Sequence, residues 1–340
     1  MNHPVISRNY IIERWSRSSR MTVFFFTAGF VGLFFLPLFA GGLVIDKLTT
    51  LFIYMLLSVM WNLLAGYAGL ISVGQQVFFG MGAYFAIHLV KMGIPPYPAL
   101  IGGCVGAGLL AIPVSVYALR LKGGEFAIGM WVIAEVVRIF VMFDPMVQGE
   151  TGTSLLALNH YDPQLRQNLN YWFGLCSVAV MFTLTFIVLR SRIGSAAQAI
   201  RDNENAADSV GINVMRVKQI IFVLAAFGCS LAGTVWLASA ITFQPRTNFG
   251  IQWTVFMLFM VLVGGLGTFE GPVIGALIFF LLQEIFGGFG VWYLSGLGLV
   301  AVLFTLYLPE GLWGALRRKI GQDLLSTGVL YKRASTGKNE

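Results

Sequence analysis

Eight stretches of this 340-residue chain contain no Asp, Glu, Lys or Arg: 21–45, 48–90, 92–119, 167–189, 219–245, 247–269, 271–283 and 285–309. A bilayer core about 30 Å thick takes about 20 apolar helical residues to cross. Most of these runs meet that length, and 48–90 holds two crossings divided at GYAGLISVG (66–74). In lipid the backbone must satisfy its own hydrogen bonds, which leaves helices or a closed barrel. Barrel strands alternate in short segments and are not this apolar throughout. Hydrophobic residues make up 57% of the chain and charged residues 11%, against about 25% charged in a soluble domain. That excludes a soluble enzyme. The 29 Phe, 11 Tyr and 8 Trp exclude a disordered chain, and the 40 Gly follow no Gly-X-Y period. The expected fold is an all-α polytopic membrane protein with ten helices, at about 22–43, 48–65, 74–91, 97–119, 126–143, 171–190, 216–240, 251–265, 271–286 and 289–308.

The net charge of +7 is informative through its location. With the N-terminus inside, seventeen of the 22 Lys and Arg fall on inner segments. Four (Lys47, Lys91, Arg166 and Arg246) fall outside, and Arg138 lies within a span. Such a bias predicts N-in/C-in with an even number of spans and a basic rim against anionic headgroups of the bilayer rather than nucleic acid. Residues 1–20 then form a cytoplasmic segment, 21–309 the membrane domain and 310–340 a cytoplasmic basic tail. The first apolar run is too long for a signal-peptide core and reads as an uncleaved helix.

Two glycine-rich breaks interrupt the apolar bulk. The first runs from Asn62 through Gly66, Tyr67, Gly69, Ser72, Gly74, Gln75 and Gln76 to Gly82, and the second covers GGLGTFEGPVIG (264–275). Both fall on the inner side without Lys or Arg. Irregular backbone at membrane depth is tolerated where it is buried in protein or lines a wet cavity. Glycine also lets helices pack closely. The glycines therefore serve packing or a path, and the polar set Asn62, Ser72, Gln75 and Gln76 is a candidate lining of a path.

Helix five contains Glu135 and Arg138 at i, i+3, on one face. Its apolar residues favour insertion by roughly 3 to 6 kcal/mol, while two charges oppose it by roughly 5 to 7. The pair is expected to turn inward among other helices, as a structural ion pair or a path lining. The loop 190–218 has apolar Ala196, Ala199, Ile200, Ala207 and Val210 at helical spacing, and Asp202 and Glu204 permit a second helix start. It reads as one or two short amphipathic helices ending at Gly211, either a docking element for another protein or a helix lying on headgroups. The 27-residue outer loop 144–170 exceeds ordinary connectors. Cys104, Cys176 and Cys229 lie apart in apolar runs and read as buried residues without disulfide or metal. The three His are scattered, no metal or catalytic constellation is present, and no G-x-x-x-x-G-K-[ST] phosphate loop occurs.

Five segments in order carry a family likeness: NLLAGYAGLISVGQQVFFGMGAYFA (62–86), LRLKGGEFAIGMWVIAEVVRIF (119–140) with its E-x-x-R, AIRDNENAADSVGIN (199–213), GGLGTFEGPVIGA (264–276) and LPEGLWG (308–314). Together they resemble the LivM-type permease subunit of branched-chain amino acid ABC importers over about residues 50–315. The outer segment Thr151–Leu155 and Gln75-Gln76 depart from the common family pattern. Related permeases that move urea or amides are similar. The resemblance implies a bacterial inner-membrane subunit that pairs with a homologous LivH-type permease. It implies two cytoplasmic ATPase subunits, which would carry ATP and Mg, so that this chain binds no cofactor. It also implies an extracytoplasmic binding protein delivering Leu, Ile or Val. Arg201, Glu204, Ala206, Ala207 and Gly211 would form the ATPase-coupling loop. Asn62, Gly66, Tyr67, Gly69, Ser72, Gly74, Gln75, Glu135 and Arg138 would be candidates for the path. The competing readings are an ion-coupled secondary transporter and a membrane sensor or assembly factor. An ion-coupled transporter would need no docking helix and would usually carry more intramembrane acids than Glu135 and Glu284.

Overall fold

The computed structural model describes residues 10–13, 17–320 and 330–333. Most of the expected N-terminal segment 1–20, and the tail beyond 320 apart from 330–333, lie outside the described residues. The helices are α1 Arg17–Phe35, α2 Gly42–Asn62, α3 Gln76–Lys91, α4 Pro96–Ala118, α5 Gly124–Met142, α6 Pro163–Arg190, α7 Arg192–Asp202, α8 Glu204–Ser209, α9 Val214–Ala240, α10 Pro245–Asn248, α11 Gln252–Gly264, α12 Gly271–Phe286, α13 Val291–Tyr307 and α14 Gly311–Ile320. Two short antiparallel pairs accompany them. β2 (Thr153–Ser154) joins β3 (Thr242–Phe243), and β1 (Tyr10–Glu13) joins β4 (Leu330–Arg333) with Tyr10 opposite Arg333.

Helices form at all ten expected positions, but seven segments are by themselves long and apolar enough to cross a membrane: Gly42–Tyr67, Pro96–Ala118, Pro163–Arg190, Val214–Ala240, Pro245–Gly264, Gly271–Phe289 and Val291–Arg318. The chain is an all-α polytopic membrane protein. The other three helices differ for physical reasons. α1 opens on Arg17 and Arg20, so its charge-free helical part runs only from Met21 to Phe35. α3 has 16 residues, and α5 carries Glu125, Glu135 and Arg138.

α9 occupies the centre, with 72% of its most apolar stretch buried, whereas the last candidate span, Val291–Arg318, buries 6%. α9 packs on α2, α3, α4 and α6, and α11 packs on α2, α12 and α13. Small residues permit this closeness. A side chain on Gly233 would overlap the carbonyl of Phe79, and one on Gly275 would overlap the carbonyl of Met260. Backbone-to-backbone approach of this kind drives association where lipid is as apolar as the helix surface. Polar side chains fasten the same crossings: Ser230 Oγ donates to the Cys104 carbonyl (3.2 Å), and Asn170 Nδ2 to the Ala238 carbonyl (2.8 Å).

Two expectations change. The α5–α6 connector is shorter than the expected loop 144–170, because α6 begins at Pro163. Asp162 caps it by accepting from the N–H groups of Gln164 and Leu165 (3.1 and 3.2 Å), and proline suits the first helical position. The connector is also held by the β2–β3 pairing. Cys104 and Cys229 are buried as expected, but Cys176 is exposed on α6.

Gly233→Val should disrupt the α3–α9 crossing. Overpacking costs about 1–3 kcal/mol, and a rigid backbone contact places this site near the upper end. The purified variant should melt well below wild type, whereas Gly298→Ala on α13, with open space around it, should not. Equal melting of Gly233→Val and wild type would refute the packing account.

Candidate functional site

The first glycine-rich break begins inside α2. The last helical turns of α2 give way to a π-turn at Leu63–Tyr67, a form that occurs mostly as single turns at functional sites. Gly69 then takes a positive φ of 68°, and the Leu70 N–H returns to the Leu64 carbonyl (3.0 Å). Asn62 is buried at this point. Its Oδ1 accepts from the Gly267 N–H (2.8 Å) and its Nδ2 donates to the Thr268 carbonyl (2.8 Å). Gly66 lies against Gly267 so closely that a Cβ on Gly66 would stand 2.6 Å from the Gly267 nitrogen. The two breaks, about 200 residues apart in sequence, thus form one joint.

A third segment enters the same joint. From the end of α7, Arg201 Nη1 donates to the Gly66 carbonyl (2.7 Å), while Nε and Nη2 donate to Asp202 Oδ1 (3.0 and 2.9 Å). A Cβ on Gly69 would approach Arg201 Cα to 3.3 Å. The guanidinium therefore supplies a hydrogen bond to backbone of the π-turn.

Most of the rest of the break is packed inside the chain, with Ile71 exposed. Trp61 Nε1 donates to the Ser72 carbonyl (2.9 Å), and Ser72 Oγ accepts from the Gly74 N–H and Gln75 Nε2 (both 3.3 Å). Gly74 abuts the Met130 carbonyl of α5. Gln76 Nε2 donates to the Val73 carbonyl (3.3 Å), and its Oε1 accepts from Thr254. Tyr67, Ser72 and Gln75 are buried, and Gln75 Oε1 has no partner among the described residues. The structure thus gathers Asn62, Gly66, Tyr67, Gly69, Ser72, Gly74 and Gln75 into one region, in which Gly69 is exposed and the others are buried.

α7 and α8 are separated at Asn203, whose Oδ1 caps α8 through the Ala206 N–H (3.0 Å). Glu204 at the start of α8 meets Lys218 Nζ of α9 at 2.7 Å and Lys122 Nζ of the α4–α5 connection at 3.6 Å. The hydrogen bond from Lys218 holds the Glu204 carboxyl below the usual carboxylate range, against the opposing effect of burial, and the charges of Lys218 and Lys122 add to the lowering. Gly211 takes φ +86° with open space around it, so the turn conformation alone demands glycine there. Ala206 and Ala207 differ in environment. Ala207 is buried against the chain, while Ala206 is exposed and Val210 is 77% exposed. Close approach by another protein is open at Ala206 and Val210, and at Ala207 the space is taken by the chain itself.

Glu135 and Arg138 form the expected pair, with Arg138 Nε and Nη2 at 2.9 and 2.5 Å from Glu135 Oε1. The expected inward orientation is not found. Their side chains are 48% and 19% exposed, beside exposed Trp131, Val132, Ile139 and Phe140. The apolar residues of α5 point to more than one side, so the packing of α5 on α3 leaves the carboxylate on the outer face. Arg138 Nη1 also stands 3.8 Å from Glu150 of the α5–α6 connector. The far end of α5 is braced by Asp144, which accepts from Tyr84 (2.7 Å) and contacts His88 Nε2 (2.9 Å). This pair region lies apart from the joint, so the candidate path residues divide into two groups.

Gly267 and Thr268 entered only as part of the second break, and Lys122, Lys218, Tyr84 and Asp144 were not singled out in the sequence. Their partners lie 14 to 206 positions away, and no local pattern marks such pairings. Among the described residues no three His, Cys, Asp or Glu side chains group to hold a metal.

Residues 43–308 match the family described as "Branched-chain amino acid transport system / permease component". The chain is 27% identical to the high-affinity branched-chain amino acid transport system permease protein LivM of Escherichia coli K12 over 301 residues, covering 79% of this chain and 69% of that protein. It is 24% identical to the high-affinity branched-chain amino acid transport system permease protein BraD of Pseudomonas aeruginosa, covering 79% of this chain and 94% of that protein. A shorter likeness, 30% over 151 residues, reaches the L-arabinose transport system permease protein AraH of Escherichia coli K12, covering 40% and 46% of the two chains.

The Glu204 contacts predict a defined pH response. A carboxyl whose pKa is lowered by folding stabilises the fold fully above its unfolded value and loses that contribution as pH falls through the folded value. The melting temperature of wild type relative to Glu204→Gln should be highest at neutral pH and the difference should vanish on acidification below the ordinary carboxylate range. A difference that grows as pH falls would contradict the assignment.

Proposed function

This chain belongs to the family of permease components of branched-chain amino acid transport systems, and from that premise we propose that it moves leucine, isoleucine or valine inward as one of two homologous permeases. It is a permease subunit of an ABC importer. In this reading two cytoplasmic ATPase subunits dock on the α7–α8 segment and bind ATP and Mg themselves. An extracytoplasmic binding protein delivers the amino acid, and the assembly sits in the bacterial inner membrane.

The charge bias along the sequence supports placing α7 and α8 in the cytoplasm. The β1–β4 pairing brings the two terminal segments side by side, which suits an even number of crossings. Ten spans then comprise the seven self-sufficient segments with α1, α3 and α5. The membrane domain is 21–309, with 1–20 and 310–340 inside, 190–218 as the coupling loop and 144–170 outside.

The observation that carries the mechanism is the Arg201 hydrogen bond to the Gly66 carbonyl. ATP-driven transport needs an element with two arrangements whose balance the ATPases bias. Motion of α7 and α8 acts through Arg201 on the π-turn, and through Asn62 on the second break. Glu204 ties the same segment to α9 and to the start of α5 through Lys218 and Lys122. The half-exposed Glu135 supports an α5 that faces the companion permease across the path. A charged side chain at the centre of a lipid-facing helix costs about 2.5–3.5 kcal/mol, so protein or a wet lumen is the favoured neighbour.

The test uses the chain reconstituted with its companion permease, both ATPases and binding protein in proteoliposomes. Leucine uptake should require ATP and survive collapse of ion gradients. Ala206→Arg, which adds bulk and charge on the exposed face of α8, should insert normally, lose ATPase co-purification and abolish uptake. Wild-type uptake in Ala206→Arg would overturn the docking assignment. Uptake driven by an ion gradient without the ATPases would overturn the ABC mechanism.

A further inference from the structure

A second polar site adjoins the α7–α8 segment. A cavity of about 670 Å³ lies between the end of α4, the α4–α5 connection, α8 and the start of α9. That size falls within the roughly 300–1,000 Å³ of small-molecule sites. Arg120, Lys122 and Lys218 line it together with Glu204 and Asp208. Lys218 and Glu204 neutralise each other at 2.7 Å. Lys122 is well exposed and holds Glu204 only at 3.6 Å, so it is free to turn to another anion. Arg120 Cζ stands over the Tyr117 ring, 5.6 Å from its centroid, a contact that leaves its charge available. The lining as a whole is positive by one charge.

The surroundings identify the kind of anion. Met215 lines the cavity and is itself exposed, and Tyr117, Leu121 and Ile220 are exposed apolar residues on the same ends of α4 and α9. Basic side chains over an outward apolar flank, at the end of membrane-crossing helices, match a headgroup above its acyl chains. The geometry points to a binding site for the phosphate of an anionic membrane phospholipid, held by Arg120 and Lys122. A lipid there bridges the α4–α5 connection to α8 and α9, the elements joined by Glu204, so it braces the segment that moves in coupling. The assignment holds whichever membrane face this end occupies, and it stands apart from the identity of the transported solute.

The test is native mass spectrometry of the full chain with its co-purifying partners, exchanged into phosphatidylglycerol or phosphatidylcholine. Wild type should retain phosphatidylglycerol and release phosphatidylcholine. Arg120→Gln/Lys122→Gln should weaken retention by roughly thirtyfold, the effect of two basic side chains near anionic headgroups. Lys91→Gln, at the other end of the bundle, should leave it unchanged. Asp208→Asn removes a negative charge from the lining and should strengthen retention, a gain that misfolding does not produce. Equal retention of the two lipids, unchanged retention in the double variant or weaker retention in Asp208→Asn would overturn the site. Full displacement of phosphatidylglycerol by inorganic phosphate at equal concentration would show a soluble-anion site and overturn the lipid assignment. A partner protein covering the cavity would appear as no retained lipid in wild type, with the same result.

Discussion

Backbone that leaves the helix inside an apolar bundle must find its hydrogen bonds elsewhere, because neither lipid nor aliphatic side chains can supply them. The π-turn at Leu63–Tyr67 and the loop at 265–270 are two such departures, and they are placed to satisfy each other. Asn62 uses both ends of its carboxamide on Gly267 and Thr268, and Arg201 adds a charged donor at Gly66. Four helices of the bundle meet at this joint. α2 leads in, α3 leads out, and α11 and α12 meet at the second break. The short α7–α8 element is therefore held by the same hydrogen bonds that satisfy the breaks.

Such an arrangement is suited to switching. A continuous helix resists bending, but a π-turn with irregular backbone beside it can re-pair its carbonyls at small cost when one partner moves. Arg201 is half in this joint and half on the surface, with Asp202 sharing its guanidinium. Displacement of α7 changes the number of donors at the π-turn. Farther out, Glu204 links the same displacement to α9, at the centre of the bundle, and to the entry of α5. In this account, transport depends on these contacts remaining strong enough to transmit motion and weak enough to exchange.

The class of fold was legible because membrane crossing imposes length and apolarity on each segment, and seven of the eight charge-free runs satisfy it. Both glycine-rich breaks were visible from Gly66, Gly69, Gly74 and Gly264–Gly267 interrupting apolar sequence. Their mutual contact was not, since Asn62 and Thr268 are 206 positions apart and nothing local marks the pair. The start of α6 was misplaced by eight residues although Asp162-Pro163 carries a recognised N-terminal signal, because the polar stretch after it resembles a loop. Periodicity placed Ala206 and Ala207 in one short helix without saying which of them faces the chain. Glu135 was assigned inward by cost alone. Within this chain the carboxylate stays half exposed, because α5 packs on α3 by another face.

The central claim is that Arg201 transmits ATPase motion to the broken helix. It is tested by the number of leucine molecules imported per ATP hydrolysed in the reconstituted complex carrying Arg201→Ala. A hydrogen bond to a charged group contributes about 1.5–3 kcal/mol, enough to change a two-state balance by about tenfold or more. The account predicts that the complex still assembles and hydrolyses ATP while import per ATP falls at least about tenfold. Wild-type import per ATP in Arg201→Ala would contradict it.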